Sequence, residues 1–200
     1  MKRLSPQELG RLRDRRIVEF VTKFGAVRTN QIVAALFPSK AGVKLCQRRL
    51  RTLVRRGRLR RERLTDSAEY LYRVTRCGQI QHRQAVADFY IRALMERRAG
   101  EELNFTVEYP LAGAERADGL LIWQTPKGIW RAFVEVQRNG HCELAKYARY
   151  LRSGIWRQET WSNAGQVFPM ILVEGSFKRK PAHLVVKTLA DSVRATLGVS

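Results

Sequence analysis

Four polar residues in the second half of the chain have types and a spacing that could support phosphodiester hydrolysis. Asp118 opens a predicted strand, while Glu135 and Gln137 lie two residues apart on one face of a later strand. Lys146 follows on a predicted helix, from which it could lean back toward the two carboxylates. Two carboxylates and a lysine at one sheet edge suit a Mg²⁺ ion that activates water and stabilises a leaving phosphate. In this hypothesis Asp118 and Glu135 hold the metal.

The same acids have a structural alternative. Asp118 could simply cap a strand edge, and Glu135 could pair with Arg116 or Arg138. The adjacent residues His141 and Cys142 cannot build a tetrahedral metal shell on their own. The sequence leaves both interpretations of the carboxylates open.

The elements that must position these residues follow the order α-β-β-β-α-β-α. Periodicity and turn signals predict helices over residues 80–98, 143–157 and 182–197. They predict strands over residues 104–111, 118–123, 130–137 and 168–173, the last of them almost wholly apolar. Glu135 then belongs to the third strand and Lys146 to the helix after it.

Charge is distributed very unevenly along the chain. The formal net charge is +20, and residues 1–83 carry 22 of the 38 Lys and Arg residues but only 6 of the 18 acidic residues. A surplus of this size repels itself unless a polyanion offsets it. The N-terminal part is therefore expected to bind nucleic acid.

The N-terminal part has its own element order. Ser5-Pro6-Gln7-Glu8 is typical of a capped helix start, and the helix is predicted to end at Gly25. Thr29 is predicted to cap a helix over 30–37, and a third helix is expected over 40–56. Strands over 58–64 and 70–75, joined by a turn at 65–69, complete a winged helix-turn-helix.

The third helix is amphipathic and would enter the major groove. Cys46, Leu50 and Leu53 form its apolar stripe, and Arg and Gln side chains opposite can make paired hydrogen bonds to purine edges. The arginines of the predicted wing would contact the flanking backbone. The candidate DNA-binding residues are Lys40, Lys44, Gln47, Arg48, Arg51, Arg55, Arg58, Arg60, Arg61 and Arg63.

The C-terminal order and residues resemble the PD-(D/E)xK nuclease fold. Its motif, an Asp at a strand start and Glu-x-Lys on the next strand, corresponds to Asp118, Glu135 and Gln137. Gln137 stands where the motif has lysine, and some members of the family move the lysine to the following helix, where Lys146 could replace it. The resemblance implies a restriction-endonuclease-like domain that uses Mg²⁺ if it is active.

Taken whole, residues 10–175 resemble the replication-relaxation family of plasmids and other mobile elements. The resemblance is carried by the winged helix and by the following residues, in this order: Val74-Thr75-Arg76-Cys77-Gly78, His82, Asp118, Phe133-Val134-Glu135-Val136, Lys146-Tyr147 and Tyr150. It implies a DNA-binding accessory of replication or mobilisation, with replication or relaxase proteins as partners.

These observations predict an α+β chain with a winged helix-turn-helix over 1–79 and a nuclease-like domain over 80–200. The expected function is binding of double-stranded DNA with a degenerate nuclease-like domain. A Mg²⁺-dependent endonuclease and a transcriptional repressor are the alternatives, and a homodimer is possible. The scattered cysteines Cys46, Cys77 and Cys142 indicate reduced thiols, and no secretory signal or membrane span is apparent, so a cytoplasmic location is expected.

Overall fold

The computed structural model describes residues 5–63, 69–137, 140–163 and 167–199. Within them the chain forms six α-helices and two β-sheets, which confirms the α+β class. Two compact units are present, one ending at Ile91 and the other beginning at Arg92, so that the division falls inside a helix. Among the described residues, no helix has the length and apolarity needed to cross a membrane.

The first helix, α1 (Pro6–Phe24), has the predicted capping box. Ser5 Oγ accepts a hydrogen bond from the Glu8 backbone N–H at 3.2 Å, and Glu8 Oε2 accepts one from the Ser5 N–H at 2.7 Å. The helix ends at Gly25, whose φ of 76° is accessible to glycine at little cost. The buried residues Ile17, Val21 and Phe24 place its apolar stripe in the core.

The next elements are β1 (Val27–Arg28), α2 (Thr29–Leu36) and α3 (Lys40–Arg55). The prediction that Thr29 caps α2 is wrong, because Arg28 is the cap residue and its backbone N–H donates to Gln31 Oε1 at 2.8 Å. The short strand β1 was not predicted, since two residues show no periodicity. Ser39 caps α3 by accepting from the Gly42 N–H at 3.1 Å.

A small antiparallel sheet follows, with β2 (Arg60–Arg63), β3 (Tyr70–Arg73) and β1 in the order β1-β3-β2. The strand predicted over 58–64 starts later, because the Arg58 and Leu59 N–H groups both donate to the Leu53 carbonyl at the end of α3. The strand predicted over 70–75 stops at Arg73. Residue 64 and most of the predicted turn, 65–68, lie outside the described residues.

Helix α4 (Ile80–Met95) is fixed to α2 through a buried glutamine. Gln31, only 2% exposed, donates from Nε2 to the Gln84 carbonyl at 2.9 Å and to Asp88 Oδ1 at 2.7 Å. Arg28 Nη2 pairs with Asp88 at 2.8 Å. Because every polar atom of the Gln31 side chain has a partner, its burial costs little. The first part of α4 therefore belongs to the same unit as α1–α3.

The second unit is built on the five-stranded sheet β4-β5-β6-β7-β8. Strands β4 (Glu102–Pro110), β5 (Arg116–Thr125) and β6 (Gly128–Val136) are antiparallel, while β7 (Met170–Glu174) and β8 (Val186–Thr188) run parallel to β6. Helix α5 (Ala145–Ser153) connects β6 to β7 and is followed by 3₁₀ turns at Ile155–Gln158 and Thr160–Asn163. The helix predicted over 143–157 is thus shorter, because the chain turns at Gly154.

The helix predicted over 182–197 is wrong. Residues there form β8 and the short helix α6 (Val193–Leu197) instead. Just before β8, Leu184 is buried and Val185 is 58% exposed, and β8 itself begins with the buried Val186 and pairs in parallel with β7. Ser192 caps α6, and Glu96 accepts from the backbone N–H groups of Val193 and Arg194.

A buried ion pair in this unit leads to a prediction about acid stability. Glu101 Oε2 accepts hydrogen bonds from Arg194 Nη1 at 2.8 Å, from Trp123 Nε1 at 3.0 Å and from the Arg98 N–H at 2.9 Å. The Arg194 guanidinium is the main reason why the pKa of Glu101 falls from 4.5 to about 2. A carboxyl whose folded pKa is lowered stabilises the fold above its unfolded pKa, and this contribution is lost as the pH falls toward the folded value.

We therefore expect Glu101→Gln to lower the free energy of unfolding most near neutral pH, and the deficit to shrink as the pH falls from about 4.5 toward 2. Urea unfolding followed by tryptophan fluorescence over a pH series measures this difference. Glu102→Gln, at the exposed neighbouring position, is the matched control. A deficit for Glu101→Gln that stays constant down to pH 2 would contradict the assignment.

Candidate functional site

Helix α3 presents one apolar and one basic face. Gly42, Cys46, Leu50 and Leu53 are buried, so the 3.6-residue period turns the residues between them outward. The predicted DNA-binding residues of this helix are all exposed: Lys40, Lys44, Gln47, Arg48, Arg51 and Arg55. The helix therefore exposes a continuous row of hydrogen-bond donors to solvent.

The adjoining hairpin extends this row. Arg58, Arg60, Arg61 and Arg63 are all exposed, and the guanidinium of Arg61 lies 4.3 Å from the centroid of the Tyr70 ring. Stacking of this kind holds an arginine in place while its N–H groups stay available. We call the exposed basic residues of α3 and of residues 58–63 the basic face.

The charge of the basic face is not neutralised by ion pairs among the described residues. In the described part of the chain, no acidic side chain pairs with the lysines and arginines of the basic face. Glu62, the one acidic residue of β2, pairs with Arg73 at 2.7 Å. Arg49, which is not among the predicted DNA-binding residues, turns inward and donates from Nε to Asp14 Oδ1 at 2.7 Å. The structural arginine of α3 is thus separated from the exposed ones.

A cavity of about 410 Å³ opens between α3 and the hairpin. Gln47 and Arg51 line it from the helix and Arg61 from β2. Its remaining lining residues are Thr29, Glu69, Tyr70 and Tyr72. Two guanidinium groups and an amide converge here, and this donor set suits phosphate oxygens.

Sequence reasoning missed two further arginines next to this face. Arg13 and Arg16 of α1 line a second cavity, of about 370 Å³, together with Ser39 and Gly42 at the start of α3. Anions are favoured beside helix N-termini and guanidinium groups. Arg13 and Arg16 are three residues apart on the polar side of α1, and this spacing is the signal in the sequence that could have identified them.

In the second unit, the Glu135 carboxylate is buried and both of its oxygens are engaged by neighbouring side chains. Glu135 is 6% exposed, and its Oε1 lies 2.7 Å from Lys146 Nζ and accepts a hydrogen bond from the Tyr147 hydroxyl. Its Oε2 accepts a weak hydrogen bond from Cys142 Sγ at 3.6 Å. Lys146 thus leans back onto Glu135 as expected, and Nζ also donates to the Arg116 carbonyl at 2.7 Å. We call Glu135, Lys146, Tyr147 and Cys142 the Glu135 cluster.

Asp118 lies inside β5 and does not open it as predicted, because Arg116 and Ala117 already pair with β4. The pairing of β5 with β6 ends at Gly119 and Val134. Beyond that pair, Asp118 Oδ2 accepts a hydrogen bond from the Val136 N–H at 2.7 Å. One oxygen of the carboxylate is therefore used to hold the end of β6.

Burial raises the pKa of Glu135, and the nearby charge of Asp118 raises it further, while Lys146 acts in the opposite direction. Burial likewise raises the pKa of the Cys142 thiol to about 12, so this cysteine is not a reactive thiolate. Gln137 follows β6, half-buried, and its N–H donates to the Glu174 carbonyl at 2.8 Å. The alternative partner Arg138 lies outside the described residues.

The residues present do not fit a Mg²⁺ ion well. Mg²⁺ requires ionised carboxylate oxygens with room for several water molecules. Both oxygens of Glu135 already accept hydrogen bonds from side chains, and the group is buried. What the cluster does is anchor α5 to β6 by a buried ion pair.

The geometry thus brings Glu135 and Lys146 into contact, places Asp118 beside them at the end of β6, and exposes every predicted DNA-binding residue. Comparisons with protein-family models, with curated proteins and with solved structures found no match to this chain.

Proposed function

We propose that this chain is a double-stranded DNA-binding accessory protein of plasmid or mobile-element replication or mobilisation. The first unit would act as a winged helix-turn-helix, with α3 as the recognition helix and the β2–β3 hairpin as the wing. The order of α1, α2, α3, β2 and β3 supports this assignment. The observation that carries it is the basic face, which is exposed throughout and has no acidic partner in the described residues.

The physical basis is the phosphate charge of the duplex. Each phosphate neutralised by a lysine or arginine releases condensed counterions, which favours binding at low salt. Residues around the middle of α3 would reach base edges, where Arg48 can donate two hydrogen bonds to a guanine and Gln47 can donate one to an adenine and accept one from it. Arg58, Arg60 and Arg63 would contact the flanking backbone.

For the second unit we propose a nuclease-like fold without nuclease activity. The order β4, β5, β6, α5 and β7, preceded by the end of α4, supports the likeness to the PD-(D/E)xK core. The closed Glu135 cluster supports a structural role for the motif residues. A degenerate domain of this kind would serve as a scaffold or a docking module for replication or relaxase proteins.

A cleavage assay separates this proposal from the Mg²⁺-dependent endonuclease. We expect supercoiled plasmid to remain intact when it is incubated with the protein and Mg²⁺, because the Glu135 carboxylate is engaged by Lys146 and Tyr147. Gel electrophoresis of the plasmid provides the measurement. Nicking that disappears in both Asp118→Ala and Glu135→Ala would overturn the non-catalytic assignment.

Footprinting on the DNA around the protein's own gene tests the accessory role. Protection at an origin of replication or a transfer site is the expected result. Protection confined to a promoter would favour a transcriptional repressor and contradict the accessory role.

A further inference from the structure

A second group of exposed basic residues lies on the C-terminal unit, on α5 and on the segment between β7 and β8. Arg152 is exposed on α5, and Lys178, Arg179 and Lys180 are exposed in the segment that leads to β8. We call these four residues the α5 patch. The net charge of the second half of the chain is modest, so this concentration was not apparent from charge totals.

Among the described residues, the charges of the α5 patch are not neutralised and so can interact with an anion. In the ranges that the structure describes, no acidic side chain forms an ion pair with any member of the patch. Arg149, the neighbouring arginine on α5, is by contrast paired with Glu115, to which its Nε donates at 3.3 Å. Glu115 is therefore compensated by Arg149, and the exposed Glu143, which also acts on Arg149, is one acid against the four positive charges of the patch.

The segment that carries Lys178, Arg179 and Lys180 is anchored on both sides. Before it, the Cys142 N–H donates to the Ser176 carbonyl at 2.8 Å, and Phe177 packs against the core of the unit. After it, the Leu184 N–H donates to the Pro181 carbonyl at 3.1 Å, and Leu184 is 3% exposed. Because both ends are held, binding an anion here requires little ordering of the backbone.

Two members of the α5 patch, Arg152 and Arg179, line a cavity. The cavity, of about 500 Å³, lies between α5 and this segment and is lined by Ala145, Ala148, Arg149, Arg152, Arg179 and Pro181. Three guanidinium groups, those of Arg149, Arg152 and Arg179, therefore line the same cavity. Guanidinium groups bind phosphate oxygens in a bidentate manner, which matches this arrangement.

We propose that the α5 patch is a second contact surface for the phosphate backbone of duplex DNA. Several lysines and arginines in a row suit a polyanion better than a single small anion, and the proposed ligand of the basic face is such a polyanion. The inference rests on the proposed function only for the identity of the ligand. The protein then holds DNA through both units, and the C-terminal unit contributes to affinity without reading bases.

The test measures duplex binding by fluorescence anisotropy across a salt series, using the full chain. For Arg152→Ala/Arg179→Ala we expect the slope of log K against log salt to become less steep by roughly 1.8, or about 0.9 for each lost phosphate contact. Arg152→Lys/Arg179→Lys should keep the original slope, because lysine retains the charge. Arg97→Ala/Arg98→Ala removes equal charge from exposed positions of the same unit and should leave the slope unchanged.

The outcomes separate this inference from the proposed function. If Arg152→Ala/Arg179→Ala behaves like the Arg97→Ala/Arg98→Ala control while Arg48→Ala/Arg51→Ala loses binding, the α5 patch is not a DNA contact and the proposed function stands. If only the patch variant flattens the slope, the α5 patch is a DNA contact and the basic face is not. Lys178→Ala/Lys180→Ala, confined to the exposed segment, repeats the test should the first variant fail to fold, and an unchanged slope there would equally overturn the inference.

Discussion

The double variant Arg48→Ala/Arg51→Ala is expected to lose most of the affinity of the chain for its DNA site. Both side chains are exposed on α3, on the side opposite its buried stripe. Loss of a paired contact to a base costs about 1–3 kcal/mol, so the double variant should bind at least about fivefold more weakly. Arg51 also lines the cavity between α3 and the hairpin, where its loss would remove a phosphate contact. Fluorescence anisotropy with a labelled duplex measures the affinity.

The control for this variant is Arg97→Ala/Arg98→Ala, which removes the same charge from exposed positions outside the basic face. It should lower the affinity only slightly, through the weaker general field of the protein. Arg49→Ala addresses a different property, because Arg49 is bound to Asp14 and its loss should reduce stability more than DNA binding. Equal affinities of Arg48→Ala/Arg51→Ala and of the unchanged protein at every salt concentration would contradict the docking of α3.

Lys146→Met is expected to lower the free energy of unfolding by about 3–5 kcal/mol, the usual cost of removing one partner from a buried ion pair. Lys146 pairs with Glu135 at 2.7 Å, and the side chains are only 17% and 8% exposed. Without the ammonium group, Glu135 would remain buried among Tyr147 and Cys142 with a pKa raised further above its ordinary value. The loss should be largest above neutral pH and smaller in acid, where Glu135 holds a proton.

The matched variant removes both charges. Glu135→Gln combined with Lys146→Met should recover much of the lost stability, because no uncompensated charge is then buried. Thermal and urea unfolding of the two variants give the comparison. If Lys146→Met unfolds like the unchanged protein, the Glu135 cluster does not anchor α5, and a catalytic interpretation of Lys146 gains support.

The parts of the fold that were predictable from sequence have strong local signals. The capping box at Ser5 and Glu8 and the buried stripe of α3 each involve residues within a few positions of one another. Strand β8 falls within a predicted helix, because its three residues show no alternation of burial and its pairing with β7 joins distant segments in parallel. Local periodicity does not report such pairing.

The basic face and the Glu135 cluster also differ in how far they could be predicted from the sequence. Exposure of the basic face follows from the helical period once the buried stripe of α3 is known, so those residues could be named from the sequence. The closure of the Glu135 cluster depends on how α5 packs on β6, which brings Tyr147 and Cys142 onto one carboxylate. The α5 patch likewise arises because residues far apart in sequence, such as Arg152 and Arg179, line one cavity.

The decisive measurement is the binding of duplex DNA by the full chain across a series of salt concentrations. With the basic face and α5 patch contacting phosphates, the chain should retard duplex DNA at low ionic strength. Its binding constant should then fall steeply as salt is added. Each phosphate contact should add about 0.9 to the steepness of the plot of log K against log salt. A purified, folded chain that retards no duplex at low ionic strength would contradict the account.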